Sequence, residues 1–415
     1  MRKLTILGLC FVLAGICEAE IITVDDDAPA DFNNIQAAIN DSNSGDTIFV
    51  AAGIYHENIR VIYKDDITVQ GSGFDVTIID GGENGHVVVF NVASGKISGF
   101  TITNSGEDPR YSAGVFTSQS SVIISDNIIT GNAHGISVSS NSTVVITDNR
   151  IENNVSGYFG HGIKVLDSCG TITNNIIANN GNWAGVDCSG ALLSIINNVV
   201  FSNSYYGLRF SGLSTIQTIC NNIITHNEWG IMALGGEESP VSQLHIVYNN
   251  VWNNFEADYW SEWGGVGIPG GSEAFTPQPG TGEISEDPSF GDADNGDYHL
   301  QSSAGRWDPN QNQWVIDANT SDCIDAGNPG CPTGSEPQSN GNRINMGAYG
   351  GTATAGKSPA DWRKIADLTN DWIVDVNDLA VFVDYWLDSG DCIPSDLNRN
   401  RSIEFEDFAV FAEDW

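Results

Sequence analysis

Apolar and polar residues alternate in short runs along most of the chain, and the runs recur at a nearly regular interval. The clearest are GISV, GIKV, GLRF and GIMA, which begin at Gly135, Gly162, Gly207 and Gly230. Alternation with a period of two over such short runs predicts β-strands with one buried face rather than helices. We therefore expect a protein built from many short strands.

Each run follows a phrase that contains asparagine, usually as a pair. The second asparagine of each phrase serves as a marker, and successive markers are 22, 26, 23, 24 and 28 residues apart: Asn127, Asn149, Asn175, Asn198, Asn222 and Asn250. Units of this length cannot bury their own apolar faces and must stack. Asparagine suits the corner of such a unit because its amide can hydrogen-bond to the next asparagine, about 4.8 Å along the stack.

These repeats predict an all-β parallel β-helix of roughly ten coils. Ahead of them, residues 31–41 place Ile35, Ala38 and Ile39 on one face. That spacing predicts a short helix, which would cap the open end of the stack. After Asn250 the rhythm breaks, and residues 255–282 read as an aromatic, Gly- and Pro-rich excursion before the last turns and a C-terminal cap.

Composition and charge narrow the class further. Residues 1–19 carry a basic start, an apolar stretch and a small-residue cleavage site, which predicts a signal peptide and a secreted or cell-surface protein with no membrane span. With 16 basic and 53 acidic residues, the net charge of −37 repels nucleic acid and anionic membranes and suits calcium. An exported chain permits disulfides, and Cys323 with Cys331 is the candidate pair.

The opening "DFNNIQAAINDSNSGDTIFVAAGIYHENI" and the repeats resemble the right-handed β-helix proteins of the pectate-lyase-like superfamily, pectin methylesterases among them. The resemblance covers about residues 22–355 and implies the handedness of the solenoid. Its motifs are structural, and the catalytic motifs of pectin methylesterases do not follow. We expect a β-helix domain at residues 20–355 and a Gly/Ala/Pro-rich linker at residues 356–364.

The acidic tail repeats with a period of 29, so that Asp367 matches Asp396 and Trp386 matches Trp415. Each copy is an acidic loop that leads into an amphipathic helix. The loops "DLTNDWIVDVND" and "DLNRNRSIEFED" place oxygen-bearing side chains at positions 1, 3, 5, 9 and 12. That spacing wraps a 12-residue loop around one Ca²⁺.

Two such loops resemble a type I dockerin, which implies a small all-α domain at residues 365–415 and a cohesin-type scaffold partner. The resemblance implies Ca²⁺ ligands at Asp367, Thr369, Asp371, Asp375, Asp378, Asp396, Asn398, Asn400, Glu404 and Asp407, with the carbonyls of Ile373 and Ser402. Position 6, where glycine is usual, holds Trp372 and Arg401. An acidic helical pair without metal is the alternative.

One outward column of the repeat holds candidate chemistry. Arg209 lies between inward-facing Leu208 and Phe210, and its equivalents on the stacked strands are Ser137, Lys164, Asp187 and Met232. Between Gly114 and Asn254 there are three Lys or Arg residues, two of them in this column. Insertions and aromatic residues crowd the same rim, where flat rings suit sugars: Tyr158, Phe159, Trp183, Tyr205, Tyr206 and Trp229.

The column predicts a site that cleaves or binds an acidic polysaccharide. β-Elimination from a uronate requires a neutralised carboxylate, removal of the C5 proton and a stabilised leaving oxygen. We assign Lys164 as the base, Arg209 as the neutraliser and Asp187 as an orienting carboxylate or a groove Ca²⁺ ligand. The predicted substrate-binding residues are His161, Trp183, Tyr206 and Trp229. Superfamily lyases use similar Lys/Arg chemistry, which the resemblance permits.

Three alternatives remain open at this point. A glycoside hydrolase needs two carboxylates, and Asp167 or Glu228 would have to approach Asp187 from a turn. A β-helix that only binds glycan or builds a cell-surface array needs neither. The third alternative is a Lys–Asp–Arg salt bridge on a solvated face, worth less than about 1 kcal/mol.

Overall fold

The structure is a computed structural model that describes residues 19–108, 112–155, 159–235, 240–265, 268–277 and 280–415. The predicted signal peptide, residues 1–19, lies outside the described residues except for Ala19. Among the helices described, none has the length and apolar character needed to cross a membrane.

The described residues form a right-handed β-solenoid of about ten coils with three parallel sheets, which confirms the predicted class. Sheet A contains Ile21–Val24, Thr47–Val50, Ile67–Gly71, Ser94–Ser98, Ser121–Ser125, Thr143–Thr147, Cys169–Thr173, Leu192–Ile196, Gln217–Cys220 and Leu244–Val247. Sheet B contains Gly53–Tyr55, Thr77–Asp80, Thr101–Thr103, Ile128–Thr130, Arg150–Glu152, Ile176–Ala178, Val199–Phe201, Ile223–Thr225 and Asn250–Trp252.

Sheet C carries the predicted column and ends in an antiparallel hairpin. Its strands are Ile59–Ile62, Val88–Asn91, Val115–Ser118, Ile136–Ser139, His161–Leu166, Ala184–Ser189, Tyr206–Ser211 and Trp229–Leu234, followed by the hairpin strands Ala257–Gly265 and Ile268–Ala274. The hairpin falls within the excursion that the sequence marks, and it extends sheet C beyond the last regular coil. Four short strands follow at Phe290–Asp292, Asp297–Leu300, Arg306–Asp308 and Gln313–Val315.

The predicted N-terminal cap is helix α1, Ile35–Asp41. The side chain of Asn34 caps it by accepting from the backbone N–H of Ala37, 2.8 Å away. Ile35, Ala38 and Ile39 are buried and join the main core, as their spacing predicts. The helix therefore closes the first coil with an apolar face.

The C-terminal residues cover one outer face of the solenoid. Tyr298, Leu300 and Met346 form a second core with residues on the outer face of sheet B, such as Val199 and Ile223. Sheet C contributes no residue to this second core within the described part of the chain. The second core therefore lies against sheet B and does not include the predicted column.

Two ladders of asparagines run along the solenoid, and all their members are buried except Asn254, which is half-buried. In the first ladder, the backbone N–H and the side-chain Nδ2 of each residue donate to Oδ1 of the next, at 2.9–3.1 Å. Its members are Asn127, Asn149, Asn175, Asn198, Asn222 and Asn249. A second ladder repeats this bonding through Asn132, Asn154, Asn180, Asn203, Asn227 and Asn254.

The two residues at each first-ladder corner have different roles: the second forms the ladder, and the first makes the turn. The residue before each first-ladder asparagine adopts the left-handed conformation, with φ between 54° and 57°: Asp126, Asp148, Asn174, Asn197, Asn221 and Tyr248. Asparagine and aspartate tolerate this conformation better than most residues do. Two of these amides also hold the C-terminal cap, since Asn174 Nδ2 donates to Ala348 O and Asn197 Nδ2 to Asn345 O.

The last marker, Asn250, was assigned to the wrong residue. Tyr248 takes the left-handed position and Asn249 takes the ladder position, so the phrase begins one residue earlier than the sequence suggests. Asn249 N and Nδ2 both donate to Glu283 Oε1, at 2.7 and 2.9 Å. A half-buried carboxylate thus terminates the ladder, and Tyr259 donates to its other oxygen at 2.5 Å.

The acidic tail contains two helices, α2 (Val376–Asp384) and α3 (Phe405–Asp414), with a small core that includes Leu368, Phe382 and Phe411. The predicted pairing of Cys323 with Cys331 is wrong. Cys331 forms a disulfide with Cys392, whereas Cys323 is a buried free thiol whose sulfur accepts from Asn250 Nδ2. The short spacing between Cys323 and Cys331 gave the wrong pair because the partner of Cys331 lies 61 residues further along the chain.

The carboxylate at the end of the first ladder predicts a specific pH dependence. Burial raises the pKa of Glu283 from 4.5 to about 7. Between these values the unfolded chain loses a proton that the folded chain keeps, so rising pH lowers stability. Glu283→Gln retains an acceptor but cannot ionise. We expect its free energy of unfolding, relative to wild type, to rise by up to about 3 kcal/mol across this window.

Urea unfolding of both proteins at about pH 4.5 and about pH 8 measures the change. Parallel pH profiles for the two proteins would mean that Glu283 is already ionised in the folded state.

Candidate functional site

The strand register of sheet C brings the predicted column together. Ser137 is paired with Lys164, Lys164 with Asp187, Asp187 with Arg209, and Arg209 with Met232. Leu208 and Phe210 are fully buried on either side of Arg209, as their inward orientation requires. Each neighbour in the column is one strand spacing away, about 4.8 Å.

Asp187 bonds to Arg209 rather than to both cations. Arg209 Nη1 donates to Asp187 Oδ1 at 2.6 Å, and the two side chains are only 17% and 8% exposed. Lys164 forms no ion pair or hydrogen bond among the described residues. The expectation of a three-membered salt bridge on a solvated face is therefore wrong, and the Asp187–Arg209 pair has the electrostatics of a mostly buried pair.

Aromatic rings border Arg209. Its guanidinium lies 5.6 Å from the ring centroid of Trp183 and 6.0 Å from that of Tyr206. Trp183 in turn contacts Phe159 edge-on and stacks with Tyr205, at centroid distances of 5.3 and 6.1 Å. We call this set, with Trp229 and Trp260, the aromatic wall. Tyr158, also expected on this rim, lies outside the described residues.

His161 lies beneath the column. Its Nδ1 is 3.9 Å from Asp187 Oδ2, and its backbone N–H donates to Nδ1 of His134 at 3.3 Å. Burial holds the pKa of His161 well below its usual range, and the nearby charges of His134, Lys164 and Arg209 lower it further. The imidazole of His161 is therefore neutral near neutral pH.

Three nitrogen atoms at this site are buried and lack a hydrogen-bond partner in the described part of the chain: His161 Nδ1, Arg209 Nε and Trp229 Nε1. Such atoms are uncommon in folded proteins, and a functional or ligand-based explanation is normally required. All three atoms belong to residues of sheet C strands, Arg209 in the column and His161 and Trp229 at the starts of neighbouring strands, which marks sheet C as the candidate site.

The sequence did not identify three residues of this site. Trp260 and Glu262 reach it from the hairpin, where Trp260 pairs with Met232 and its ring lies 5.4 Å from that of Trp229. Trp260 Nε1 donates to Glu262 Oε1 at 3.2 Å. His134 stands one coil before His161. The aromatic content of the excursion was the available signal for the hairpin residues, but their register with the solenoid was not readable.

The two carboxylates considered for hydrolysis lie elsewhere. Asp167 sits over Gly190 at a turn and lines a separate groove of about 640 Å³ with Asn141 and Cys169. Glu228 neighbours Glu256 on the next coil, and the pKa of Glu228 is raised by burial and by that charge. Neither forms a hydrogen bond with Asp187 among the described residues.

The two acidic loops share one bonding pattern. The carboxylate at position 12 accepts from the backbone N–H groups of positions 3 and 9, through Asp378 and Asp407 at 2.8–3.0 Å. The carboxylate at position 1 accepts from positions 5 and 6, through Asp367 and Asp396. In the first loop, ligand oxygens of Asp367, Asp371 and Asp378 lie within 4.8 Å of one another.

Position 6 of each loop adopts the backbone conformation that glycine usually supplies. Trp372 has φ of 75° and Arg401 has φ of 73°. The ring of Trp372 lies under the guanidinium of Arg363, at 3.8 Å from the ring centroid. This packing helps to explain how the turn accommodates a large side chain.

Comparisons with known proteins bear on the solenoid. A family model described as periplasmic copper-binding protein (NosD) matches residues 39–264, more than half of the 415 residues. No curated protein matches the sequence.

Among solved structures, an alginate lyase from Paenibacillus sp. str. FPU-7 is similar with 12% identity and a TM-score of 0.35, covering 56% of this chain and 87% of that one. The A-module of the mannuronan C-5 epimerase AlgE4 from Azotobacter vinelandii is similar with 17% identity and a TM-score of 0.34, covering 54% of this chain and 74% of that one. The pectin methylesterase PemA from Erwinia chrysanthemi is similar with 10% identity and a TM-score of 0.27, covering 62% of this chain and 85% of that one.

The burial of the Asp187–Arg209 pair predicts that alanine substitutions along the column change the free energy of unfolding by unequal amounts. Asp187→Ala leaves a guanidinium buried without its partner and should lower the free energy of unfolding by about 3 kcal/mol. Lys164→Ala removes an unpaired side chain and should change it by less than about 0.5 kcal/mol. Urea unfolding measures both, and the Asp187→Ala/Arg209→Met double variant should recover part of the loss. Equal, small losses would contradict a buried pair.

Proposed function

The chain belongs to the family described as periplasmic copper-binding protein (NosD), and we propose that its sheet C column binds an acidic, uronate-containing polysaccharide and cleaves it by β-elimination. The residues that match the family, 39–264, contain the whole of this column. The proposal rests on one observation in particular. Lys164, which lacks an acidic partner among the described residues, lies next to an Asp187–Arg209 pair bordered by the aromatic wall.

Each residue has a role that its surroundings support. Arg209 is oriented by Asp187 and by the rings of Trp183 and Tyr206, so its remaining N–H groups are available to neutralise a uronate carboxylate. Neutralising this carboxylate favours loss of the C5 proton, which Lys164 removes in its neutral form. The electron pair of the C5–H bond then forms the C4–C5 double bond, the C4–O bond breaks, and protonated Lys164 returns the proton to the leaving oxygen. Asp187 is a positioning residue in this scheme, because its carboxylate is occupied by Arg209.

The aromatic wall supplies the binding surface. In this proposal the ring faces of Trp183, Tyr206 and Trp229 pack against the apolar faces of sugar rings, and Trp260 extends the same surface by one coil. Neutral His161 lies under Asp187 and adds no charge that would compete with Lys164 or Arg209 for the substrate. A groove that binds glycan without cleaving it is the alternative, and the wall alone is sufficient for it.

The donor groups do not fit copper. Among the described residues, the groups of at least three His, Cys, Asp or Glu side chains with converging donor atoms are Asp25, Asp26 and Asp27, and Asp367, Asp371 and Asp378. Copper prefers nitrogen and sulfur donors, whereas carboxylates suit calcium and magnesium. His134 and His161 offer two imidazoles, and Nδ1 of His134 already accepts a hydrogen bond. We assign no step to copper.

We propose further that the acidic loops bind Ca²⁺ and that residues 365–415 attach the protein to a cohesin-type scaffold outside the cell. Support for the metal comes from the donor set of the first loop, which converges three carboxylates. In the second loop, Asn398 and Asn400 supply neutral oxygens, so weaker binding is expected there. Calcium would add ligand bonds between the loop and the start of helix α2.

The lyase proposal is tested with the full chain on polyuronates and on neutral glycans. An unsaturated product, seen as ultraviolet absorbance together with new reducing ends, is expected from polyuronates. Lys164→Ala should abolish turnover, and Arg209→Lys should lower it by about 100-fold or more, because a single ammonium group replaces the several N–H donors with which Arg209 contacts both Asp187 and the substrate carboxylate. Trp183→Ala should mainly raise KM.

Lys96→Ala, an outward lysine on sheet A, is the matched control and should leave turnover unchanged. Reducing ends without ultraviolet absorbance would indicate a hydrolase instead. Retained binding with no product from any polyuronate would leave a glycan-binding protein and refute the lyase assignment.

Calcium binding is measured on the full chain by calorimetric titration and by the melting temperature with and without the metal. Ca²⁺ should raise the melting temperature, since it binds only the folded loops. Asp371→Asn removes one of the three converging carboxylates and should weaken binding by about 10-fold or more. Asp384→Asn, an exposed carboxylate on helix α2, should not. Equal behaviour of the two variants would contradict the ligand assignment.

A further inference from the structure

The tail makes buried contacts with the end of the solenoid. Tyr248, in the last regular coil, is fully buried, and its hydroxyl donates to the backbone oxygen of Leu368 at 2.9 Å. Leu368 belongs to the small core of the tail. A single buried hydroxyl thus links a solenoid corner to the first acidic loop.

Arg343 adds a second and larger link. It belongs to the C-terminal cap of the solenoid and is fully buried. Its guanidinium donates to Gly327 O within the cap, to Asp367 O at 2.7 Å and to Asn370 Oδ1 at 2.7 Å. A buried guanidinium needs several acceptors to offset its lost hydration, and here part of them comes from each side.

Each acidic loop contacts the C-terminal region of the solenoid through its fourth residue. The fourth residue of each loop is left-handed, with φ of 61° at Asn370 and 57° at Arg399. Asn370 Nδ2 donates to Gly282 O and Ala326 O at 2.6 and 2.8 Å, and Arg399 Nε donates to Pro329 O at 3.1 Å. The disulfide between Cys331 and Cys392 joins the same two regions.

From these contacts we infer that the loop side of the helical tail is an interaction surface whose partner is the solenoid of the same chain. The tail extends the C-terminal cap of the β-helix, and it unfolds together with the solenoid. Position 4 of each loop is used for this contact and is closed to an external partner. Anything bound to the tail is therefore held at a fixed orientation to the sheet C column.

Hydrogen exchange of the intact, oxidised chain over a urea series tests this, with peptides from the last coils (residues 217–252) and from the tail (residues 365–415). Both segments should lose protection at one shared urea midpoint. Tyr248→Phe changes only the solenoid side and should lower the midpoint of the tail as well. Asn370→Ala changes only the tail and should lower the midpoint of the last coils as well.

Two controls match these substitutions in chemistry but not in place: Tyr63→Phe on an exposed tyrosine and Asn377→Ala on an exposed residue of helix α2. Both should leave the shared midpoint unchanged. The inference is overturned if the tail loses protection at lower urea than the coils. It is equally overturned if each variant shifts only the segment that contains it, or shifts neither.

Discussion

The stacking of coils at one strand spacing is the constraint on which the rest of this structure depends. Backbone pairing fixes each coil to the next, and the two asparagine ladders repeat that spacing at the corners, where the backbone alone leaves amide groups unpaired. Insertions are therefore pushed outward into turns, while every outward side chain keeps a neighbour about 4.8 Å away. The sheet C column is a direct consequence of this register.

Register also explains why the column has unequal members. Asp187 has a basic residue on each side, but it pairs with Arg209, whose planar guanidinium lies beside the rings of both Trp183 and Tyr206. In such a water-poor position the pair needs good geometry, which the guanidinium provides more readily than an ammonium group. Lys164 is left without a carboxylate partner among the described residues. The register of sheet C thus places a positioned guanidinium, that of Arg209, near a lysine, Lys164, that is available to a ligand.

Periodicity made much of this readable from sequence. The coil length, the capping helix with Ile35 and Ile39, and the alignment of Lys164 with Arg209 follow from local patterns that repeat. Contacts outside the repeat were not readable. The shift from Asn250 to Asn249 depends on Tyr248 taking a left-handed conformation, and the Cys331–Cys392 disulfide joins residues 61 apart. Trp260 enters the column only because a hairpin continues sheet C.

The aromatic wall has a direction, and this limits the ligand that would use it. From Phe159 to Trp260 it spans five successive strands of sheet C, about 19 Å along the solenoid axis. A single sugar would contact one or two of these rings and leave the others exposed to water. An extended chain lying along the axis would meet a ring on coil after coil and would pass both Lys164 and Arg209. A polymeric acidic ligand therefore uses this surface more completely than a small one does.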